Sequence, residues 1–596
     1  MNMKPPFLGD RERRALHSEL VAWIASEAKG TLVSGFSAML DQGDARVGRE
    51  RVAGFMETHD PLEWLLPMGA RRGLCFSTES VPEGLNTPYV IFNLSMGFGN
   101  GSPLPQPSGR FEVFVNGRYC LSIRKVNHSQ LWKLGDCRLA FAMRRCETAP
   151  PFCGMTLSST ITNEGQAAFG IGLLRVPASW VAPGKPAQIT IAPASDNRQS
   201  TRYFYMNLAG WNPLGSAMQE AVRVLTGEDR PTSGGHNLYF GDIHTHSGQV
   251  REECLDRGCG FKTWADNYAN ARDAGGLDFY ALTDHEWQIE PGFEAEYFGL
   301  PDRHETPGEF VCLPAFEHTS LLYGHRNVYF KRGGIVVNNN RKPGGTPTMD
   351  PAGSVPPEEL FGRLTEHGQP FFTVPHHPSA ASHPYTWDFF RPHDRLVEVY
   401  SAWGSSDYWG DFPRGVSDRH EHLYIQEAMK RGLKFGLIAS SDGHDGYPGD
   451  ESSPYPKHPH LFHMCGSGRA VVLAESLTRD AVYDALYERR CYATTGTPIG
   501  LEFTVNGMCM GQTVSCGGGR GDRPKLVVKV RGSNAIDHVR ILKNGRVVHA
   551  EQAFGAWSHE LEWEDLHRQA HEPAAYTVRV VQKDYESAWS SPVWVE

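Results

Sequence analysis

The hydrophobic positions change period along the chain, and each change predicts a different kind of structure. Leu16, Leu20, Trp23 and Ile24 recur at helical spacing, which predicts an amphipathic helix in about the first 30 residues. From about 45 to 235, short apolar runs such as PYVIFNLSMGF, FEVFVNGRYCLSI and AQITIAP alternate with Gly, Pro, Asn and Asp, the texture of an all-β sandwich. EDRPTSGGHN, 228–237, reads as a linker. From about 238, strand-like runs (NLYFGDI, LDFYALTDH, EFVCLPAFEH, HRNVYF, QPFFTVPHH, LVEVYS, KFGLIASSDGH) interleave with helical stretches at 357–367, 417–431 and 478–490. A further helix is expected in FKTWADNYANARDAG, where Phe261, Trp264, Ala265, Tyr268 and Ala269 form one apolar stripe. Such alternation predicts an α/β barrel or a doubly wound sheet, and the barrel is preferred because polar residues close several different strands. After CYATTGTP the period returns to two, with turns such as KNGR, predicting a small Ig-like β-sandwich. The expected domains are 1–235, 236–496 and 497–596.

A chain of 596 residues exceeds one ordinary core. Its 58 Lys and Arg against 68 Asp and Glu leave a formal charge of -10, which speaks against wholesale binding to nucleic acid or an anionic membrane. The apolar runs are strand-length, so no transmembrane helix is expected. The N-terminus lacks an apolar secretion core, and the twelve cysteines are scattered without a CxxC pair. Reduced thiols in the cytoplasm are therefore expected. The Arg-Gly-Asp tripeptide in GGGRGDR reads as chance in a glycine-rich turn.

Chemistry concentrates where the central strands end. His244 and His246 follow the first, Asp284 and His285 the second, Glu317 and His318 the third, His376 and His377 a later one, and Asp442 and His444 the last. In a strand His244 and His246 share one face. A single such group is most often an ordinary histidine, but in a barrel these ends converge on one face, where residues far apart in sequence form one site. His325 begins its strand instead, and reaches the same end if that strand returns antiparallel from Glu317. Nitrogen and carboxylate ligands without a thiolate favour Zn, Mn or Fe. A bridging carboxylate with two or three such ions would create a hydroxide near neutral pH and clamp a phosphoryl oxyanion.

GDIHTHS, ALTDHE, FEH, VPHHP and SSDGH, in this order, resemble the PHP (polymerase and histidinol phosphatase) superfamily over about 238–475. RRCYATTGTPIGLEFTVNG and SAWSSPVWV look like a PHP-like subgroup that places β domains around the barrel. The resemblance implies a distorted barrel of seven β/α units and up to three metals. It implies that His244, His246, Glu317 and Asp442 surround one ion, that Glu317 bridges to a second held by His325 and His377, and that His285 and His444 hold a third. His377 is preferred to His376 because it precedes the proline. The family often adds a His or Asp five or six residues beyond its first motif; here Arg251 and Glu252 stand there, leaving Glu252 as the substitute ligand. Asp242 and Asp284 are expected to orient neighbouring histidines. His325, His377, Asp284 and Arg326 are the candidate catalytic residues, Arg326 as a phosphate fork. Glu398 and Asp407 are further candidates to face the site, while the tryptophans of YTWDFF and SAWGSSDYWGDF are read as core before pocket lining.

The expected function is metal-dependent hydrolysis of a small-molecule phosphoester, with two or three divalent ions, Zn, Mn or Fe, as cofactors. Amide, ester or lactone hydrolysis uses the same apparatus. Rivals of other classes are a nuclease module, disfavoured by the acidic charge, and a metal-stabilised binding protein. No nucleic acid or membrane partner is expected, and the β domains offer surfaces for a homo-oligomer.

Overall fold

The computed structural model describes residues 74–81, 83, 89–97, 110–124, 130–147, 167–193, 203–211, 232–233, 235–251, 258–337, 355–380, 385–409, 411, 420, 422–449, 467–516, 523–569, 572–583 and 585–596. The helix expected around Leu16–Ile24, the Arg-Gly-Asp turn and Glu252 lie outside the described residues. The described residues are sheet-rich with few helices, and they divide into two compact units, one ending at Trp211 and the other beginning at Thr232. Among the described residues no helix is long and apolar enough to cross a membrane.

The first unit contains two antiparallel sheets. One has four strands in the order Leu74–Ser80, Pro186–Pro193, Arg110–Val115, Arg118–Arg124. The other has five, Gln130–Leu134, Cys137–Glu147, Ala167–Arg175, Tyr89–Gly97 and Tyr203–Trp211. Alternate residues Val113 and Val115 on one strand and Leu121 and Ile123 on its neighbour are buried, as a period of two requires. The hairpin between them turns on Asn116 and Gly117, both at positive φ (49° and 76°), the geometry that makes Asn-Gly the favoured two-residue turn.

In the second unit, strand pairing passes from neighbour to neighbour and returns to its start. His236–Asp242 lies parallel to Phe279–Tyr280, which lies parallel to Val311–Cys312. A single bridge then joins His285 to Glu317. Glu317 belongs to Ala315–His318, which is antiparallel to Arg326–Phe330, itself antiparallel to Phe371–Pro375. A bridge from Thr373 to Asp394 leads on to Leu396–Ser401, parallel to Gly436–Ala439, and a last bridge from Gly443 to Thr245 closes the circuit. The expected strand–helix alternation is interrupted: no helix separates Ala315–His318 from Arg326–Phe330, which form a hairpin. That antiparallel return is what brings His325 back beside Glu317.

Helices cover parts of this circuit. Trp264–Asp273 starts at a reciprocal cap in which Thr263 Oγ1 accepts from Asp266 N–H (3.0 Å) and Asp266 accepts from Thr263 N–H (3.2 Å). Its buried face is Trp264, Asn267, Tyr268 and Ala271 rather than the expected stripe, and Ala265 is exposed. Asn267 is tolerated inside because its amide donates back to Thr263 O (2.9 Å). Pro357–His367 ends at Gly368, whose φ of 79° terminates the helix. Shorter helical segments are Glu294–Phe298, Leu300–His304, Ile425–Lys430 and Arg479–Tyr487.

The C-terminal region continues the same sheet. His236–Asp242 pairs antiparallel with Arg469–Ala474, that strand with Cys491–Thr494, and that in turn with Ser587–Ser590. Leu238, Phe240, Val471 and Leu473 therefore share one core with Leu501, Phe503, Val528, Val539 and Val578. A second sheet, Met508–Cys509, Gly500–Val505, Lys525–Arg531 and Ser558–Glu564, packs onto that core; along Lys525–Arg531, Leu526, Val528 and Val530 are the buried positions.

Candidate metal centre

The strand ends are tied together by backbone and carboxylates before any ligand is considered. His246 N–H donates to Gly443 O (2.8 Å), and Asp242 Oδ1 accepts from Ser441 N–H (3.0 Å) while Oδ2 accepts from Gly449 N–H (2.8 Å). Asp284 accepts from Ser247 N–H (2.6 Å), Ser247 Oγ (2.7 Å) and Trp264 Nε1–H (3.0 Å). Both carboxylates are buried and engaged by these donors. Their donors are on the loops that carry the histidines and not on the imidazole rings, for Asp242, expected to orient histidines, and for Asp284, expected to orient histidines and to take part in catalysis.

Glu317 sits at the middle of the cluster, and its two oxygens face different histidines. Oε1 lies 2.7 Å from His325 Nδ1 and 3.1 Å from His376 Nε2. Oε2 lies 3.0 Å from His246 Nε2, 3.4 Å from His244 Nε2 and 3.5 Å from His285 Nδ1. Asp442 Oδ1 is 3.3 Å from both His244 Nε2 and His246 Nε2 and 3.8 Å from His444 Nδ1, and Oδ2 is 4.0 Å from His377 Nε2. Burial alone would raise both acids, but His285, His376, His244 and His246 hold Glu317, and His244, His246 and His444 hold Asp442, well below the usual carboxylate range. Conversely, although burial opposes its charge, His244 is drawn up to about 10 by Asp442 and Glu398.

The site thus brings together His244, His246, His285, Glu317, His325, His377, Asp442 and His444. Glu398 also faces it: Oε2 is 3.0 Å from His244 Nδ1, so it holds that ring with Nε2 toward Glu317 and Asp442. Asp407 does not serve the site. It accepts from Trp589 Nε1–H (2.6 Å) and pairs with Arg579.

Arg326 is a correction. Its guanidinium is buried, with Nε on Asp394 Oδ1 (3.1 Å), Nη1 on Tyr323 O (3.1 Å), and Nη2 on Phe389 O (2.9 Å) and Tyr385 Oη (3.2 Å). A guanidinium whose nitrogens are all occupied by protein acceptors has no fork to offer a phosphate. It fastens the hairpin that carries His325 to the segment 385–394. Arg251 is also engaged elsewhere, 3.2 Å from Glu290 and over the Phe293 ring.

His376, ranked behind His377 from sequence, approaches Glu317 and groups with His325 and His377 as well as with His244 and Glu317. Adjacent residues of a strand point to opposite faces, but the strand ends at Pro375 and His377 has φ 33°, so both rings enter the site. Asp442 likewise has φ 50°. Such conformations cost roughly 1–3 kcal/mol and gather at functional sites. Sequence reasoning missed Cys259, which groups with His246, His285 and His444. Two partly exposed tryptophans flank the cluster, Trp287 stacked on His285 (5.0 Å between ring centres) and Trp403 against His377 (5.1 Å).

These buried His and carboxylate groups could hold metal ions. The donor set fits: imidazoles and carboxylates converge within one or two ligand lengths, and His246 Nδ1, His376 Nδ1 and Glu398 Oε1 are buried without a hydrogen-bond partner among the described residues.

Residues 457–515 match the family described as protein of unknown function (DUF3604). The chain is 28% identical to an uncharacterized protein of Chlamydia pneumoniae over 391 residues, 60% of this chain and 57% of that protein. It is 28% identical to one of Chlamydia muridarum over 396 residues, 60% and 58% of the two chains. The chain therefore spans little more than half the length of these curated relatives. Among solved structures it is similar to a two-domain protein containing a predicted PHP-like metal-dependent phosphoesterase from Bacteroides vulgatus, with 14% identity and a TM-score of 0.30, over 61% of this chain and 97% of that one. It is also similar to PsfC from Pseudomonas syringae, with 17% identity and a TM-score of 0.27, over 43% and 91% of the two chains.

Proposed function

We propose that this protein is a metal-dependent hydrolase built on a distorted barrel of the PHP type, acting on a phosphoester of a small molecule. The observation that carries the reading is the split environment of Glu317, one oxygen among His325 and His376 and the other among His244, His246 and His285. A carboxylate so placed can bridge two cations. His244, His246, Asp442 and Glu317 would hold one, and Glu317, His325, His376 and His377 another. Divalent ions bound there, Zn, Mn or Fe, would supply Lewis acidity and a nucleophile from water near neutral pH.

The chain's own residues do the rest. Glu398 keeps His244 Nδ1 occupied so that Nε2 remains the ligand atom. The buried Asp242 and Asp284 keep the two loops that present His244, His246 and His285 in register. Trp287 and Trp403 form partly exposed apolar walls beside the cluster, suited to exclude water from one side of a bound substrate.

The test is full-length protein reconstituted with Zn, Mn or Fe and assayed for phosphate release from a panel of phosphomonoesters, in parallel with carboxyl ester, lactone and amide substrates. Stoichiometric metal and phosphate release, both lost in Glu317→Gln, are the expected result. Cleavage of only the carbon-centred substrates moves the reading to the alternative hydrolase. Full-length protein that binds none of the three metals overturns it.

A further inference from the structure

We infer that Cys259 supplies a thiolate, together with His246, His285 and His444, to a thiophilic divalent ion of the zinc class. This rests on the metal-centre reading above and extends it to a sulfur-containing pocket. One ligand atom from each of the four residues lies within 4.8 Å of those from the other three. The three imidazoles are layered, His246 between His285 (4.5 Å between ring centres) and His444 (4.3 Å). His246 Nδ1 is also buried with no hydrogen-bond partner among the described residues, a donor atom left over after Nε2 has met Glu317 and Asp442.

The approach of the sulfur is built by the tripeptide Gly258-Cys259-Gly260. Gly258 N–H donates to Gly248 O (2.9 Å), Gly260 N–H to Ser247 O (2.9 Å) and Phe261 N–H to His444 O (2.8 Å), so the segment lies directly on the backbone of the first and last ligand-bearing loops. A Cβ at Gly258 would fall 2.4 Å from Gln288 Nε2 and 2.5 Å from Ser247 O, and one at Gly260 only 2.2 Å from His246 O. Only glycine fits on either side, and the side chain between them is therefore delivered next to His246. Gln288 completes the cradle: its amide donates to Ser247 O (3.1 Å) and Gln249 O (2.8 Å), and its oxygen accepts from Cys259 N–H (3.1 Å).

The thiol proton now points at Gln288 Oε1, 3.3 Å from Sγ. On metal binding that proton leaves to solvent and the sulfur lone pair forms the S–metal bond; where Nε2 of His246 already holds the first ion, its Nδ1 proton leaves to solvent as well and the ring binds as a bridging imidazolate, with no redox change. Three imidazoles and a thiolate make a donor set that suits tetrahedral Zn and discriminates against Mn.

The experiment is titration of metal-free full-length protein with Co(II), read as the thiolate-to-cobalt charge-transfer band in the near ultraviolet, with Zn(II) stoichiometry measured alongside. Wild type is expected to show the band and Cys259→Ser to lack it and bind one Zn fewer per chain. Cys259→Asp, which keeps an anionic ligand, should hold the ion without the band, and near-ultraviolet circular dichroism reports whether each variant is folded. A band that persists in Cys259→Ser, or ions bound by wild type with no band, overturns the thiolate assignment while leaving the hydrolase reading intact. Wild type that binds no ion overturns both.

Discussion

Arg326 separates a structural role from a substrate role more cleanly than any other residue near the centre. Replacing it with Met removes the ion pair to Asp394 and leaves the carbonyls of Tyr323 and Phe389 and the hydroxyl of Tyr385 without its donors. Breaking a buried pair on one side costs about 3–5 kcal/mol because the remaining charge is stranded. Here Asp394 keeps Thr373 Oγ1 (2.7 Å), Arg391 N–H (2.9 Å) and Tyr385 Oη (3.0 Å), which places the cost toward the lower end, about 3 kcal/mol. That corresponds to roughly a hundredfold rise in the unfolding constant. Lys at this position restores the charge but not the planar fork, so Arg326→Lys should recover only part of the loss. Urea unfolding of the metal-free protein, followed by tryptophan fluorescence, measures it, with KM determined on the folded fraction at the same time. Wild-type stability combined with a raised KM would refute the reasoning, because it would mean that the guanidinium works on substrate.

Three further outcomes are expected. Glu398→Gln should weaken metal binding about 10–100-fold while leaving the fold intact, since the amide no longer holds His244 as an anion would; competition with a chromophoric chelator reads this, and unchanged affinity would remove Glu398 from the centre. Asp284→Asn should cost roughly 1–3 kcal/mol, as an amide nitrogen turns toward donors from Ser247 and Trp264, and a variant as stable as wild type would show that these bonds hold nothing together. Metal at about 100 times its Kd should stabilise the protein by about 2.7 kcal/mol per site and raise its melting temperature, with a chelator reversing the shift; no shift with Zn, Mn or Fe contradicts a built site.

Some of this was legible because local pattern and function coincide. His244, His246, His285, Glu317, Asp442 and His444 each follow an apolar strand run, so a period of two followed by a polar ligand-type residue marked them. His325 was legible from loop length, since the short link after Glu317 favours an antiparallel return. Arg326 was misread because its partners, Tyr385, Phe389 and Asp394, lie about 60 residues away and nothing in the strand around it announces them. His376 was ranked second because the resemblance places the ligand directly before the proline; the positive φ of His377 just after the strand end lets both rings enter the site.

By itself the sequence determined the succession of β and mixed segments and the order of ligand-bearing strand ends, because hydrophobic period and residue chemistry are local properties of the chain. Only the tertiary structure decided which acids face the histidines and which are consumed by backbone donors, since Asp242, Asp284, Glu317 and Glu398 are alike in sequence and differ only in what surrounds them. It also decided the place of Cys259. That residue lies in a glycine-bounded loop without any period, and its nearness to His246 arises from two backbones packing where no side chain could intervene.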